Sequence, residues 1–419
     1  MKNRAGFFIA IRYLWGRVHE GGRYLLGAAA GIAVSLIPII VTLIVADGMI
    51  RGIIDRYLEL GTGHLQVFNW FDPEELEEPA EKIRGIAGVR GLWPEQQSVG
   101  VLVGKNGKTG ATVRSVDPSF WESGGGYLKI LAGVSKPESD RDMLLGENLA
   151  SAIGAEAGDT VRLMTIRTNP DGRSVPRMTA FTVRGIVSSG YHELDALWCI
   201  ISWEGGRDIL SPELSSTSLI VKIDDPYRRA DSAVLSLYSA LGAGYGVYTW
   251  KALLRSQYSS YESTRQLLLF IMALVVIVAA VNVSSATSML VIERQRDIAV
   301  LKVTGASVRG VTGVFFWGSF LTGLSGAIIG ITLGLLIGNF INPLIHSLEA
   351  LLSFFSSLFH GGEVKLLDPG FYLETIPIII DWFAVFLIGC FTIFCSVAAS
   401  WIPARRAGKL KPMDLLRKY

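Results

Sequence analysis

The sequence predicts an α-helical membrane protein with four transmembrane helices, arranged one plus three, and a large α+β domain inserted after the first. Three observations predict it: four long apolar runs, a mostly polar stretch between the first and second, and basic residues gathered on one side. The runs cover residues 24–46, 266–292, 311–341 and 380–401. A hydrocarbon core of roughly 30 Å takes about 20 apolar residues in helical conformation, and each run meets that length. Asp381, at the edge of the fourth, is the only charge in any of them. Of 419 residues, 50% are hydrophobic and 18% charged, against about 25% charged in soluble domains. The deficit lies in the runs, since residues 47–264 read as an ordinary water-soluble domain. A net charge of +2 gives no bulk attraction to nucleic acid, which is not expected as a partner.

Lys and Arg near span ends stay on the cytoplasmic side. Lys2, Arg4, Arg12, Arg17 and Arg23 precede the first span, and Arg294, Arg296, Lys302 and Arg309 lie between the second and third. Arg405, Arg406, Lys409, Lys411, Arg417 and Lys418 follow the last, whereas Lys365 is the only one between the third and fourth. Both termini and the second-to-third connection therefore face inward. The expected segments are a cytoplasmic amphipathic stretch (1–23), spans at 24–46, 265–292, 311–341 and 380–402, and an outer domain with stalk helices (47–264). A cytoplasmic loop (293–310), a short outer loop (342–379) and a cytoplasmic tail (403–419) complete them. The first run is long and no small-x-small site follows it, so it reads as an uncleaved anchor.

Phe7, Phe8, Ile9, Ile11, Tyr13, Leu14 and Trp15, set among Arg12 and Arg17, read as an amphipathic helix lying on the inner membrane face; the alternative is an unstructured basic tail. After the first span, Ile50, Ile53, Ile54, Tyr57 and Leu58 keep helical spacing, so the span continues as a stalk. A second stalk, 253–266, leads into the second span. The outer domain alternates short β-branched runs with turn residues, giving strands at 64–68, 100–103, 111–116, 160–166, 181–187, 197–202, 218–223 and 246–249. Helices are expected at 147–153, 230–241 and 73–86, the last with Asp72 as N-cap and Pro73 at the first helical position. Cys199 stands alone in this domain, with Cys390 and Cys395 in the fourth span, so no disulfide forms within it.

Asn169-Pro170-Asp171-Gly172 is strong turn chemistry, making residues 167–180 a projecting hairpin. Arg167, Arg173, Val175, Pro176, Arg177 and Met178 lie on it. It is either a solvated hairpin or an arm that docks a soluble partner. In the third span, Gly326, Gly330, Gly334 and Gly338 recur every four residues. In lipid, helices gain from close backbone approach, so this face packs on another helix, in this chain or in a second subunit.

Signals for catalysis fail. Gly107-Lys108-Thr109 lacks the earlier glycine of a phosphate loop, and His192-Glu193 lacks the second histidine of a zinc site. The cysteines show no metal spacing, and no Gly-x-Ser-x-Gly elbow occurs. The near absence of charge in the spans argues against an ion path. No catalytic residue, bound cofactor or metal ligand is expected in this chain.

The second span ends in Glu293-Arg294-Gln295-Arg296-Asp297-Ile298-Ala299-Val300-Leu301-Lys302-Val303-Thr304-Gly305-Ala306-Ser307. Ile298, Leu301 and Lys302 share a helical face suited to a groove in a partner; the alternative is a membrane-surface helix. This run resembles the signature of the permease family that includes LolC, LolE, MacB and FtsX. The opening Phe8-Ile9-Ala10-Ile11-Arg12-Tyr13 is similar to the lipoprotein-releasing branch, as is Leu144-Leu145-Gly146-Glu147-Asn148-Leu149-Ala150 followed by Gly158-Asp159. Phe181-Thr182-Val183-Arg184-Gly185-Ile186 and the closing Pro403-Ala404-Arg405-Arg406-Ala407 match as well.

The resemblance implies a non-catalytic permease subunit of an ABC transporter in a bacterial inner membrane, its large domain periplasmic. ATP and Mg would be used by a separate LolD-like ATPase, and a second permease copy or a LolC/LolE-type sibling would complete the assembly. Glu293, Arg294, Arg296, Asp297, Ile298, Leu301, Lys302, Gly305 and Ala306 would couple to that ATPase. The complex would extract lipoproteins and pass them to a periplasmic carrier, docked by Arg167, Asn169, Pro170, Asp171, Gly172, Arg173, Val175, Pro176, Arg177 and Met178. Leu43, Met49, Phe270 and Met272 would lie near the lipid cargo. The alternatives are a MacB-like efflux or export permease, and an FtsX-like signalling protein that activates a cell-wall hydrolase.

Overall fold

The computed structural model describes residues 22–73, 75–124, 127–168, 174–242, 244–358 and 376–409. Residues 1–21 of the amphipathic stretch expected at 1–23, the hairpin turn 169–173 and the tail beyond 409 lie outside the described residues, as does 359–375. The chain divides into two compact units. One comprises Met1–Met49, Tyr261–Phe355 and Ile376–Tyr419; the other comprises Ile50–Ser260 and Ser356–Thr375.

Among the described residues, four helices are long and apolar enough to cross a membrane. They are α1 (Gly22–Arg56), α6 (Arg255–Glu293), α8 (Val308–Asn339) and α10 (Trp382–Lys409). Further helices include α2 (Glu77–Arg84), α3 (Glu147–Ile153), α4 (Trp203–Ile209), α5 (Ala230–Leu241), α7 (Gln295–Val303) and α9 (Ile341–Leu358), besides turns of three to five residues. Helices α1 and α6 contribute residues to both units.

Within the membrane unit, α8 is the packing centre. On one face Gly326, Gly330, Gly334 and Gly338 meet Ala29, Ile32, Ala33, Leu36, Ile40 and Ile44 of α1. A Cβ on any of the four would fall within 2.8 Å of an α1 atom, so glycine is what lets the helices approach. On another face, a Cβ at Gly323 would sit 2.9 Å from Ser396 Cβ of α10. The interior hydroxyls are satisfied locally. Thr287, Thr322, Thr392 and Ser396 each donate to the carbonyl four residues earlier at 2.8–2.9 Å, as burial away from water demands.

The other unit is an α+β domain built on ten strands: β1 (Leu65–Asn69), β2 (Val89–Val103), β3 (Lys108–Val116), β4 (Lys129–Gly133), β5 (Asp142–Gly146), β6 (Thr160–Thr168), β7 (Ser174–Ser188), β8 (Trp198–Ser202), β9 (Ser216–Ile223) and β10 (Tyr245–Thr249). The sheet order is β10-β1-β9-β2-β3-β8-β5-β7-β4, and β6 pairs with both β2 and β7. That extra pairing closes β2-β3-β8-β5-β7-β6 into a ring. Leu102, Val113, Met143, Leu145, Leu163, Phe181, Cys199 and Ile201 fill it, together with Leu149 and Ile153 of α3. The open limb β10-β1-β9-β2 is covered by α2 and α5, with Leu65, Val67, Leu219 and Val221 packed against Ile83 and Leu237. Strand β2 belongs to both limbs, its first half paired with β9 and its end with β6.

The structure corrects several expectations. The strand placed at 100–103 runs the whole of Val89–Val103, because Pro94, Glu95 and Gln96 interrupt the apolar signal where the two limbs join. Strands β4 and β5 were not expected; β5 lies on the apolar side of the Leu144 motif. The helix placed at 73–86 starts only at Glu77, and its N-cap Leu76 contributes no side-chain bond. Asn69 Oδ1 instead accepts from the amides of Phe71 and Asp72 at 3.1 and 3.2 Å, holding that stretch in an Asx turn. Pro79 falls in the first turn of α2, where its missing N–H costs nothing. The outer loop 342–379 is not simply a loop, since α9 occupies its first part.

Candidate coupling, anchoring and docking sites

Glu293 ends α6, and α7 follows at once. Its turn into α8 is set by the sequence. Gly305, at φ 93°, takes the left-handed position after the helix, where its N–H donates to Lys302 O and that of Ala306 to Leu301 O at 3.1 and 2.9 Å. This is a Schellman stop, which glycine alone adopts without strain. Ser307 then caps α8, its Oγ accepting from Gly310 N at 3.1 Å. Arg294 Nη1 lies 3.3 Å from Asp297 Oδ2.

The facing of α7 differs from expectation. Ile298 is only 1% exposed and packs with Leu290, Val291, Val311, Phe315, Ala404 and Ala407 in the chain's own core. Ala306 packs against the same cluster. Leu301 and Lys302 are half-buried, and the outward positions are Glu293, Arg296, Val300 and Val303. Ile298 therefore holds α7 onto the bundle and is not available to a partner. The 3.6-residue period identified the helix but could not say which stripe the chain itself would cover.

At the other end of the membrane unit, three charges scattered in sequence meet. Arg265 of α6 donates through Nε and Nη2 to Asp47 of α1 at 2.7 and 3.2 Å. Its Nη2 also reaches Asp381 Oδ2 at 2.7 Å. Asp381 in turn caps α10, its Oδ1 accepting from the amides of Phe383 and Ala384. One guanidinium thus ties three spans. Its only signal in the sequence was a single charge at the outer edge of each.

The lower end of α1 is anchored within the extramembrane unit. It continues as a π-helical turn, Tyr57–Gly61. Arg114 Nη1 donates to Leu60 O at 2.5 Å, while Nε and Nη2 donate to Glu95 at 2.6 and 2.8 Å. Both partners are fully buried, at 1% and 0% exposure. Trp93 Nε1 and Gln97 Nε2 donate to the remaining carboxylate positions, and the guanidinium lies over Trp198 at 4.4 Å. A buried ion pair persists only where hydrogen bonds support it, and here each guanidinium nitrogen and each carboxylate oxygen has at least one. Lys222 pairs with Glu59 at 2.5 Å, and Tyr227 Oη donates to Asp55 at 2.5 Å. Sequence reasoning missed all of these, because the end of α1 and the strands and turn that meet it are far apart in the chain.

In the hairpin, β6 and β7 pair from Thr160–Thr182 to Thr168–Ser174. Asn169, Pro170, Asp171, Gly172 and Arg173 lie outside the described residues. Arg167 and Arg177 fold back, donating to Asp208 O at 3.3 and 2.8 Å. Among the described residues, the apolar Ile166, Val175 and Met178 are exposed beside Arg167. Of the residues expected beside cargo, Leu43 and Met272 pack inside the membrane bundle, because they lie on the α1 and α6 stripes facing their neighbours. Phe270 is exposed and Met49 half-buried.

Two family profiles match the chain. The MacB-like periplasmic core domain matches residues 25–233, and the FtsX-like permease C-terminal domain matches 269–412. Among curated relatives, the lipoprotein-releasing system transmembrane protein LolC of Neisseria meningitidis is 26% identical, the alignment covering 98% of each chain. LolC of Xylella fastidiosa is 27% identical over the full length of both. LolE of Haemophilus influenzae is 23% identical over 99% of each. With one profile on the inserted domain, the other on the three later spans, and relatives aligned end to end, the chain belongs to the MacB/FtsX-like ABC transporter permeases, in the LolC/LolE group.

Proposed function

We propose that this chain is the permease subunit of an inner-membrane complex that releases lipoproteins, driven by a separate ABC ATPase and working beside a second permease. The observation that carries the reading is the end-to-end likeness to LolC and LolE, whose names state that role. The geometry supports a division of labour. Arg296, Val300 and Val303 on the outer stripe of α7 contact the ATPase, which holds ATP and Mg. Movement there reaches α6 and α8 directly through the Ile298 cluster. The anchors on Leu60, Glu59 and Asp55 would prevent α1 from slipping against the periplasmic sheet. The exposed faces of α6, including Phe270, Leu274 and Val278, are available to the sibling permease and to acyl chains. Ile166, Val175 and Met178 give the strands of the hairpin exposed apolar positions for a soluble carrier.

The test is lipoprotein transfer to a soluble carrier by the reconstituted complex. Val300→Asp with Val303→Asp should leave the permease folded and inserted while abolishing coupled ATP hydrolysis and transfer. Ile298→Asp should instead lower the stability of the permease itself. Transfer at the wild-type rate by the Val300/Val303 variant would remove α7 from the coupling role.

A further inference from the structure

Helix α9 follows the third span after a single residue, Phe340, and its large apolar residues gather on one side, with Ser347 among them. Leu344, Leu348, Leu351 and Phe355 fall at i, i+4, i+7 and i+11, one stripe of an α-helix. All four are 46–53% exposed, and Phe354 beside them is 64% exposed. The opposite face carries His346, Glu349, Ser353 and Ser356, with His346 Nδ1 3.3 Å from Glu349 Oε2. Ile341 is buried at the start of α9, whereas the stripe is exposed.

The height of this helix is fixed by covalent and hydrogen-bonded neighbours. Asn342 makes two bonds with Ile376, its Nδ2 donating to Ile376 O at 2.9 Å and its Oδ1 accepting from Ile376 N at 3.1 Å. Ile376 lies five residues before Asp381, which joins the ion cluster with Asp47 and Arg265 where three spans leave the apolar layer. Pro377 O packs on the backbone at Gly48. The start of α9 is therefore held at the outer boundary of the hydrocarbon. A polar face with Glu349 and His346 excludes crossing the bilayer, and an exposed leucine stripe at that depth calls for acyl chains.

We propose that α9 lies in the outer leaflet, binding phospholipid through Leu344, Leu348, Leu351 and Phe355. The helix has no Lys or Arg, unlike basic interfacial helices that rely on anionic headgroups. Its attachment therefore rests on burial of apolar surface and is indifferent to headgroup charge and to salt. This inference needs only the membrane-spanning fold and is independent of what the complex transports.

The experiment uses full-length permease in which Cys199, Cys390 and Cys395 are replaced by Ser. Single cysteines at Leu348, Leu351, His346 or Ser353 carry an environment-sensitive fluorophore, in vesicles of zwitterionic phospholipid with or without brominated chains. The expected result is blue-shifted emission at 348 and 351 that is lost on brominated lipid. Emission at 346 and 353 should stay unquenched, and neither added anionic lipid nor high salt should alter the pattern. Blue-shifted but unquenched emission at 348 and 351 would mean that protein, such as a second permease copy, covers the stripe, and would overturn the proposal. Water-like emission there, or quenching only with anionic lipid, would overturn it equally.

Discussion

Gly330→Ala tests whether the four-residue glycine repeat is a contact surface within this chain. The added Cβ would stand 2.8 Å from Leu36 Cβ and 2.9 Å from both Ala33 Cα and Ala33 O. Carbon atoms in ordinary contact sit about 3.5–4.0 Å apart, and two of these three neighbours are backbone, which cannot rotate away. Helix α1 must therefore withdraw by several tenths of an ångström. That movement also loosens the contacts at Gly326 and Gly334, whose Cβ positions are equally tight. Overpacking of this kind costs about 1–3 kcal/mol. It is opposed by the ~1 kcal/mol that alanine gains over glycine in a helix interior. Gly31→Ala and Gly313→Ala isolate the second effect, because nothing lies within 4 Å of their added Cβ. Reversible unfolding in mixed detergent–SDS micelles, followed by far-ultraviolet circular dichroism, should place Gly330→Ala about 1–3 kcal/mol below those controls. If it unfolds together with them, the close approach of α1 and α8 is wrong.

Arg265→Gln should destabilise the membrane unit by about 1–3 kcal/mol, because Asp47, only 13% exposed, loses a two-pronged donor. Arg265→Lys should recover only part of this, since an ammonium cannot bridge two carboxylates in the same planar fork; the same micelle titration reads both. In the sheet domain, Arg114→Met leaves Glu95 charged and buried, at a cost of about 3–5 kcal/mol. The double variant with Glu95→Gln should regain much of that, and chemical denaturation checks the cycle. Burial pushes the Cys199 thiol up to about 12, so the folded protein at pH 8 should leave Cys199 unalkylated by iodoacetamide. Labelling of Cys199 before unfolding would contradict the closed ring of strands around it.

The spans were legible because a bilayer imposes one requirement, an unbroken apolar length, that any window of the sequence can test. Helix α7 was legible for a related reason: charged and apolar residues at helical spacing follow a span end directly. What composition could not give was direction. Ile298 and Val300 are both β-branched, apolar and two residues apart, yet one is covered by Ala404 and Ala407 from the far end of the chain while the other is bare. Only the return of α10 decides between them. Leu43 and Met272 failed in the same way, because a span apolar on all sides does not announce which side meets protein.

The polar anchors were hidden for a different reason. Arg114, Glu95 and Leu60 are brought together by the pairing of β2 with β3 and by the turn that ends α1. Arg265, Asp47 and Asp381 come from three separate spans. Read singly, each of the five charged residues is an ordinary surface charge, and Leu60 an ordinary apolar one. Their joint placement matters because they sit where α1 changes environment: one cluster where it leaves the apolar layer, the other where it meets the sheet. A helix fixed at both points can transmit a push along its length, whereas one fixed at neither would absorb that push by sliding along its glycine-smoothed contact with α8. If the two clusters serve this purpose, Arg265→Gln should weaken coupling between ATP hydrolysis and transfer more than it weakens hydrolysis itself. Equal losses in both would assign the cluster to stability alone.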